Sequence, residues 1–328
     1  MIDELFPLYA LCFSLTFILT VVIERFLIPK LTLGAKQPIY TDGPKWHLSK
    51  SGTPTMGGLA FLLSVIFSSL LAILYLLIAE EKDSAISLGL CLMFAVLNAL
   101  IGIIDDLRKL SKKQNKGLTA LQKLFLQAFI AILFLGLSSL LLGQSGELSF
   151  SFGKVDIGFL YFPLSFLVLL GITNCANLTD GIDGLASGVA FAVGVSLFYI
   201  SCALSSPSAF ISSAIMGATC GFLVFNLHPA KIFMGDTGSL FLGALTASCS
   251  IALGNPLVII FVGGVYVIEG VSVILQVAVF KLTGKRVFKM APIHHHLEKC
   301  GFGENRICII AIILTFIFSI PAYIFYLP

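Results

Sequence analysis

LAFLLSVIFSSLLAILYLLIA, residues 59–79, decides the fold. These twenty-one residues carry no charge, and none of them is Pro or Gly. A helix of that length rises about 30 Å, the depth of a bilayer's hydrocarbon core. In water every face of it would need covering by other parts of the chain. In lipid it needs no cover.

Runs of this kind recur along the whole chain. They fall at 5–28, 54–79, 85–104, 121–142, 159–175, 185–204, 209–227, 239–253, 256–280 and 307–327. The run at 239–253 is short and the one at 256–280 is long. Barrel strands would alternate apolar and polar residues, and these runs are continuously apolar. Across 328 residues, 58% are hydrophobic and 11% charged, against about 45–50% and about 25% in a soluble domain. A mean hydropathy of +1.02 leaves too little polar surface for a soluble globule. A disordered chain is excluded by the abundance of Leu, Ile and Phe. The expected fold is an all-α polytopic membrane protein of ten transmembrane helices, a single transmembrane domain over 1–328.

Lys and Arg stay on the cytoplasmic side of a membrane. Of the 20 basic residues, 18 fall in alternate connections: Arg25 to Lys50, Arg108 to Lys123, Lys231, and Lys281 to Arg306. Lys82 and Lys154 fall in the others. A span wrongly added or omitted would swap every later loop and scramble this ratio. Both termini are therefore expected outside. The acidic start, Met1 to Glu4, does not read as a cleavable signal peptide. Eight cysteines without a CxxC or a Cys/His metal spacing read as packing residues. Among the outer connections, 147–152 and 154–157 around Gly153 read as a small β-hairpin.

The inner connections hold the polar chemistry. The third run ends in Asp105-Asp106-Leu107-Arg108-Lys109. Two adjacent carboxylates need a cation, basic neighbours or a raised pKa. A solvated helix end is the plain alternative, but acids at a helix C-terminus oppose its dipole. The fifth run leads into Asn174, Asn177, Asp180 and Asp183, with Gly181 and Gly184 free to turn. Either Asp could simply cap the next helix. The seventh leads through Asn226, His228 and Phe233 into Gly235-Asp236-Thr237-Gly238-Ser239, a helix start suited to phosphate oxygens. There Asp236 is either a cap or a metal ligand, and Phe233 either an interface anchor or a face for stacking a base. Three consecutive histidines, His294, His295 and His296, sit in the last inner loop. Zinc is a weak reading, since adjacent residues rarely reach one ion; an anionic or sugar-like ligand suits them better. The first inner loop adds Lys45, His47, Lys50, Thr53, Thr55 and Gly57-Gly58, the glycines serving either a ligand or helix packing. Glu269 lies inside the ninth run, and an acid within a membrane is a functional candidate by default. It could instead mark a break in that long helix, among Gly263, Gly264 and Gly270.

Asp105, Asp106, Asp180, Asp183 and Asp236 thus gather at one membrane face among Lys and His. Hard oxygen ligands suit Mg2+, which binds through a few carboxylates and substrate phosphates. Lysines would hold the remaining phosphate oxygens. The residues read as a Mg2+-dependent phosphoryl transfer at the cytoplasmic face, where a soluble nucleotide meets a lipid.

The stretches GTPTMGG (52–58), DDLRK (105–109), GLTALQK (117–123), NCANLTDGIDGLA (174–186), FNLHPAKIFMGDTGSLFLG (225–243) and APIHHHLE (291–298) carry a resemblance. In that order they resemble the polyprenyl-phosphate N-acetylhexosamine-1-phosphate transferase superfamily. GTPTMGG and APIHHHLE point to its phospho-N-acetylmuramoyl-pentapeptide transferase branch. The resemblance implies a bacterial inner-membrane enzyme of peptidoglycan synthesis. It would move phospho-MurNAc-pentapeptide from UDP-MurNAc-pentapeptide to undecaprenyl phosphate, giving lipid I and UMP. By the same resemblance Asp105 and Asp106 match a catalytic pair, with Asp105 activating the lipid phosphate, and Asp236 matches the Mg2+ ligand. Lys50, Thr55, Asn174, Asn177, Asp180, Asp183, Asn226 and Phe233 match the nucleoside–diphosphate site, with Phe233 offered to uracil. Lys109 and Lys123 match phosphate-binding bases, and His294, His295 and His296 the sugar–peptide end. Direct attack and an aspartyl-phosphate intermediate are both open. Expected partners are UDP-MurNAc-pentapeptide, undecaprenyl phosphate and membrane lipid, with no nucleic acid; a homodimer is left open. The rival readings are a GlcNAc-1-phosphate transferase, a secondary transporter and an inert scaffold. A transporter would place its polar site near the midplane rather than at inner helix ends.

Overall fold

The computed structural model describes residues 2–34, 50, 52–112, 117–144 and 146–327. Lys36, Lys45, His47, Lys113 and Lys116 of the sequence reading lie outside the described residues. The helices are α1 (Ile2–Gly34), α2 (Gly58–Ile78), α3 (Lys82–Lys112), α4 (Ala120–Leu142), α5 (Tyr161–Thr179), α6 (Leu185–Ala203), α7 (Ser208–Asn226), α8 (Gly235–Ala252), α9 (Val258–Val262), α10 (Gly264–Thr283), α11 (Ile293–Lys299) and α12 (Glu304–Tyr326). Among the described residues nine of these are long and apolar enough to cross a membrane: α1 to α7, α10 and α12. Leu63, Phe67 and Leu74 on α2, and Ile309, Ile313 and Ile317 on α12, face outward as lipid-facing rows.

α8 stands where the short run 239–253 was expected, and its character differs from the rest. Every residue from Thr237 to Ile251 is buried, and α8 packs against α2, α3, α5, α6 and α7. A helix enclosed by other helices needs small faces more than apolar ones, because close backbone approach supplies the attraction. Gly243 shows this: a Cβ there would lie 2.8 Å from the Ala176 Cβ and 2.9 Å from the Thr173 Cα of α5. At the N-terminus of α8, Gly238 and Gly58 of α2 meet so closely that a side chain on either would clash with the other's backbone. Gly102 of α3 leaves room for the backbone of Asp236 in the same way.

The long ninth run is two helices, α9 and α10, joined at Gly263. Gly263 takes φ −98° and ψ 23°, which ends the first helix. Gly264 and Gly270 serve packing instead, letting α10 approach Phe318 of α12 and Cys175 of α5.

The expected hairpin forms from β1 (Glu147–Phe150) and β2 (Gly153–Asp156), antiparallel with Leu148 opposite Val155. Its turn is Ser151-Phe152, so Gly153, at φ +128°, opens the second strand. The hairpin is tied to the α8–α9 turn by Asn255, whose Nδ2 donates to the Ser149 carbonyl at 2.9 Å. Phe150 stacks on Tyr326 at the end of α12.

Glu24 lies within α1, fully buried, and among the described residues neither carboxylate oxygen has a hydrogen-bond partner. The sequence reading passed over it, because one acid barely lowers the hydropathy of so long a run.

Candidate active site

The site is built where α2, α3 and α8 converge. Residues 54–58 pair with 233–234 like two short strands: Phe233 N donates to Pro54 O, Gly57 N to Phe233 O and Gly58 N to Met234 O, at 2.9 to 3.0 Å. This clamp sets Thr55 and Gly235 side by side. A Cβ on Gly235 would fall 2.6 Å from Asp106 Oδ2 and 2.9 Å from Thr55 Oγ1. Gly235 also has φ +71°, so both its backbone and its surroundings require glycine.

Asp105 and Asp106 leave α3 buried and diverge in role. Asp106 Oδ2 accepts from the Thr237 backbone N–H at 2.9 Å and from Thr237 Oγ1 at 2.7 Å, and Oδ1 accepts from Asp236 N at 3.2 Å. It therefore occupies the free N–H groups at the start of α8, where a carboxylate is favoured by the helix dipole. The sequence reading offered those groups to phosphate and left Asp236 as a possible cap. Asp106, 130 residues upstream, makes the cap instead.

Asp236 is thereby free to meet two lysines. Lys109 Nζ lies 3.2 Å from Asp236 Oδ2 and 2.7 Å from Asp105 Oδ2. Lys123 Nζ lies 3.0 Å from Asp105 Oδ2 and also bonds Asp236. Lys123 arrives through a capping box: Thr119 accepts from Gln122 N, and Gln122 Oε1 accepts from Thr119 N. Asp105 Oδ1 accepts from Leu118 N at 2.6 Å, and a side chain on Gly117 would collide with that carboxylate. Asn177 of α5 completes the group, its Nδ2 donating to Asp236 Oδ1 at 3.2 Å and to Ser239 Oγ at 2.7 Å. Oxygens of Asp105, Asp106 and Asp236 all come within 4.8 Å of one another. Three hard oxygen donors of this kind fit a divalent cation such as Mg2+. Asp180 ends α5 beside them, and its carboxyl is pushed up to about 8 by burial and by the carboxylates of Asp236, Asp106 and Asp183, against the pull of Lys109.

A second charged group adjoins the first. Lys50 Nζ bonds Asp183 Oδ1 and Glu304 Oε2, both at 2.7 Å. Asp183 also accepts from the Ala230 N–H at 3.0 Å and meets His228 Nδ1 at 2.9 Å. Burial pushes the Asp183 carboxyl up, but Lys50, the Ala230 N–H and His228 outweigh it and hold the group below the usual range. Carboxylates and imidazole of Asp183, His228 and Glu304 also lie within 4.8 Å, with the Lys50 ammonium among them. A cavity of about 310 Å³ opens beside them, lined by His228, Glu298, Lys299, Phe302, Gly303 and Glu304.

Two expected site residues turn inward. Asn226 is buried; its Oδ1 accepts from Gly184 N and Ser187 Oγ, and its Nδ2 donates to Ile232 O at 2.9 Å. It ties the 180–184 turn to the clamp. Asn174 donates to Gln127 Oε1 of α4 at 2.9 Å and to Leu170 O at 2.8 Å.

The three histidines do not share a ligand. His294 is buried with Nδ1 3.0 Å from Glu269 Oε2. His295 Nδ1 lies 2.6 Å from Glu298 Oε2. His296 Nδ1 accepts from Lys289 N at 3.1 Å. Sequence reasoning offered Thr237 and Ser239 to phosphate, whereas they bond Asp106 and Asn177, and it missed Glu304 and Gln127. Glu304 was the legible one, an acid in the first turn of a helix that opens from the last basic loop. Gln127 had no signal apart from its three-dimensional neighbours.

An acid–lysine centre at the ends of apolar helices suits the movement of a phosphate-bearing group, and the matching families are transferases. Residues 87–254 match the glycosyl transferase family 4, and residues 50–62 match a signature of phospho-N-acetylmuramoyl-pentapeptide-transferase. Proteins of that name are similar over most of the chain. The one from Clostridium perfringens is 41% identical over 321 residues, 97% of this chain and 96% of the relative. Those from Halalkalibacterium halodurans and Staphylococcus aureus are each 45% identical, covering 90% and 89% of this chain and 90% and 91% of the relatives. The chain belongs to the phospho-N-acetylmuramoyl-pentapeptide-transferase family.

Proposed function

We propose that the protein transfers phospho-MurNAc-pentapeptide from UDP-MurNAc-pentapeptide to undecaprenyl phosphate, forming lipid I and UMP, at the cytoplasmic face of a bacterial inner membrane. The observation that carries this is the meeting of Asp105, Asp106 and Asp236 with Lys109 and Lys123. The topology is ten spans with both termini outside, α8 being the tenth. The 18-to-2 division of basic residues supports it.

Asp236, with Asp105 and Asp106 beside it, would hold Mg2+. When bound, the ion neutralises diphosphate charge. Lys109 and Lys123 exchange their carboxylate partners for phosphate oxygens as substrate enters. Asp105, so released, takes the proton of the lipid phosphate. A lipid phosphate oxygen then bonds to the phosphorus borne by the sugar, and the bond from that phosphorus to UMP breaks. Asp106 acts by holding the start of α8, and Asn177 by orienting Asp236. Lys50, Asp183 and Thr55 surround the nucleoside end with Phe233, which offers a face to uracil. Asn174 and Asn226 support that pocket from behind.

The test is UMP release from UDP-MurNAc-pentapeptide by the protein in vesicles, with and without undecaprenyl phosphate and Mg2+. Release that needs both is expected. Release from UDP-GlcNAc alone would overturn the sugar assignment, and uptake into vesicles without UMP would favour a transporter.

A further inference from the structure

Glu269 and His294 form a buried pair that the reaction described above does not use. Glu269 sits in α10 at 3% exposure, and His294 opens α11 at 1%. The imidazole Nδ1 lies 3.0 Å from Glu269 Oε2, and the His294 backbone N–H points at the same oxygen at 3.4 Å. A carboxylate oxygen only accepts, so Nδ1 carries the proton in this contact. Nε2 is then the lone-pair nitrogen, and among the described residues it has no partner although it is fully buried. An orphaned buried acceptor costs about 1–3 kcal/mol. Such a cost points to a partner that arrives with a ligand.

The direction of Nε2 indicates where that ligand lies. A Cβ built on Gly181 would collide with this nitrogen. Gly181 is not among the glycines with positive φ, so its backbone conformation does not call for glycine. The absent side chain is what matters: it lets the imidazole edge lie against the turn between Asp180 and Asp183. The ring of His295 packs at 4.2 Å from the ring of His294, closing the other side.

We propose that Glu269 is a positioning residue: it fixes His294 with the proton on Nδ1, so that Nε2 accepts a hydrogen bond from a hydroxyl or amide N–H of the sugar phosphate at the Asp180–Asp183 turn. The inference rests on the reaction proposed above for its ligand, but not for its tautomer. His294 thus acts as an acceptor through Nε2, and Gly181 gives its edge room to lie against the turn.

Two measurements on the full-length protein in lipid nanodiscs test this. In protein labelled with 15N-histidine, the His294 signals are assigned by their loss in His294→Asn. A protonated Nδ1 and a bare Nε2 are expected; a proton on Nε2, or on both nitrogens, overturns the assignment. In the UMP-release assay, Glu269→Gln retains a carbonyl acceptor for Nδ1–H and keeps kcat within about tenfold. Glu269→Ala frees the ring and lowers kcat about a hundredfold, the cost of a misplaced group, with KM for the nucleotide changed less than threefold. Gly181→Ala behaves as Glu269→Ala does. Equal activity of Glu269→Ala and wild type overturns the positioning role, and so does an equal loss in Glu269→Gln and Glu269→Ala. Wild-type protein that releases no UMP would defeat the proposed reaction while leaving the 15N result to stand or fall alone.

Discussion

At the scale of single residues, the acids of the site are told apart by their partners rather than by their type. Asp236 faces two ammonium groups and one amide, whereas Asp106 faces the N-terminus of α8. Asp236→Asn should therefore abolish UMP release, by about a hundredfold or more, while the protein still elutes as a folded species; retained Mg2+-dependent turnover would remove Asp236 from its role. Asp183 gives a pH prediction. Its carboxyl is held below the usual range despite burial, by Lys50, the Ala230 N–H and His228. The stability it contributes is present above the unfolded value of about 3.9 and is lost as pH falls through the lower folded value. The thermal midpoint in detergent should fall as pH drops below about 4, and fall less steeply in Asp183→Asn. Identical slopes would show that the network adds nothing. The sequence exposed these acids as candidates because a charge is rare in so apolar a chain. It did not separate their roles, since a cap and a catalytic acid are both an Asp at a helix end.

At the scale of elements, the glycines decide which helices can meet. Gly102 leaves α3 just enough room for the Asp236 backbone at the start of α8. Gly102→Ala should push that backbone aside and cut kcat about a hundredfold without touching any reacting group, with secondary structure by circular dichroism unchanged. Wild-type kcat in that variant would show that the contact is slack. Thr119→Ala removes the capping box of α4 and should cost about 1 kcal/mol in denaturant-induced unfolding. Lys123 lies one residue beyond the box, so the same variant should raise KM for the nucleotide. The apolar runs located the helices, with ends off by up to eight residues as for α3, because burying a backbone in lipid leaves no other choice. Hydropathy alone does not show the division of 256–280 at Gly263, since a break costs it nothing; the glycines around Glu269 are what offered a break there.

For the whole molecule, one thiol reports orientation. Cys300 is exposed at the end of α11, whereas Cys12, Cys91, Cys249 and Cys308 are buried. In a variant retaining Cys300 alone, a membrane-impermeant maleimide should label inverted vesicles and spare right-side-out ones. Labelling of both, or the reverse, would overturn the orientation drawn from Lys and Arg. The expected ten helices and the enclosed position of α8 bear on each other here. Among the long helices of the described residues, α8 alone lacks a stretch apolar enough to cross a membrane, and it is the one that meets protein on every side.

The amino-acid sequence by itself determined that the chain lives in a membrane, where its helices run, and which ends carry the acids, amides and lysines. These follow from local composition, and composition is read one segment at a time. Only the tertiary structure decided that Asp106 caps α8, that Asn174 meets Gln127 and Asn226 meets Gly184 and Ser187, that Glu304 joins Lys50, and that Glu269 takes His294. Each of those is a pairing between segments tens to hundreds of residues apart, set by which helices have faces small enough to touch.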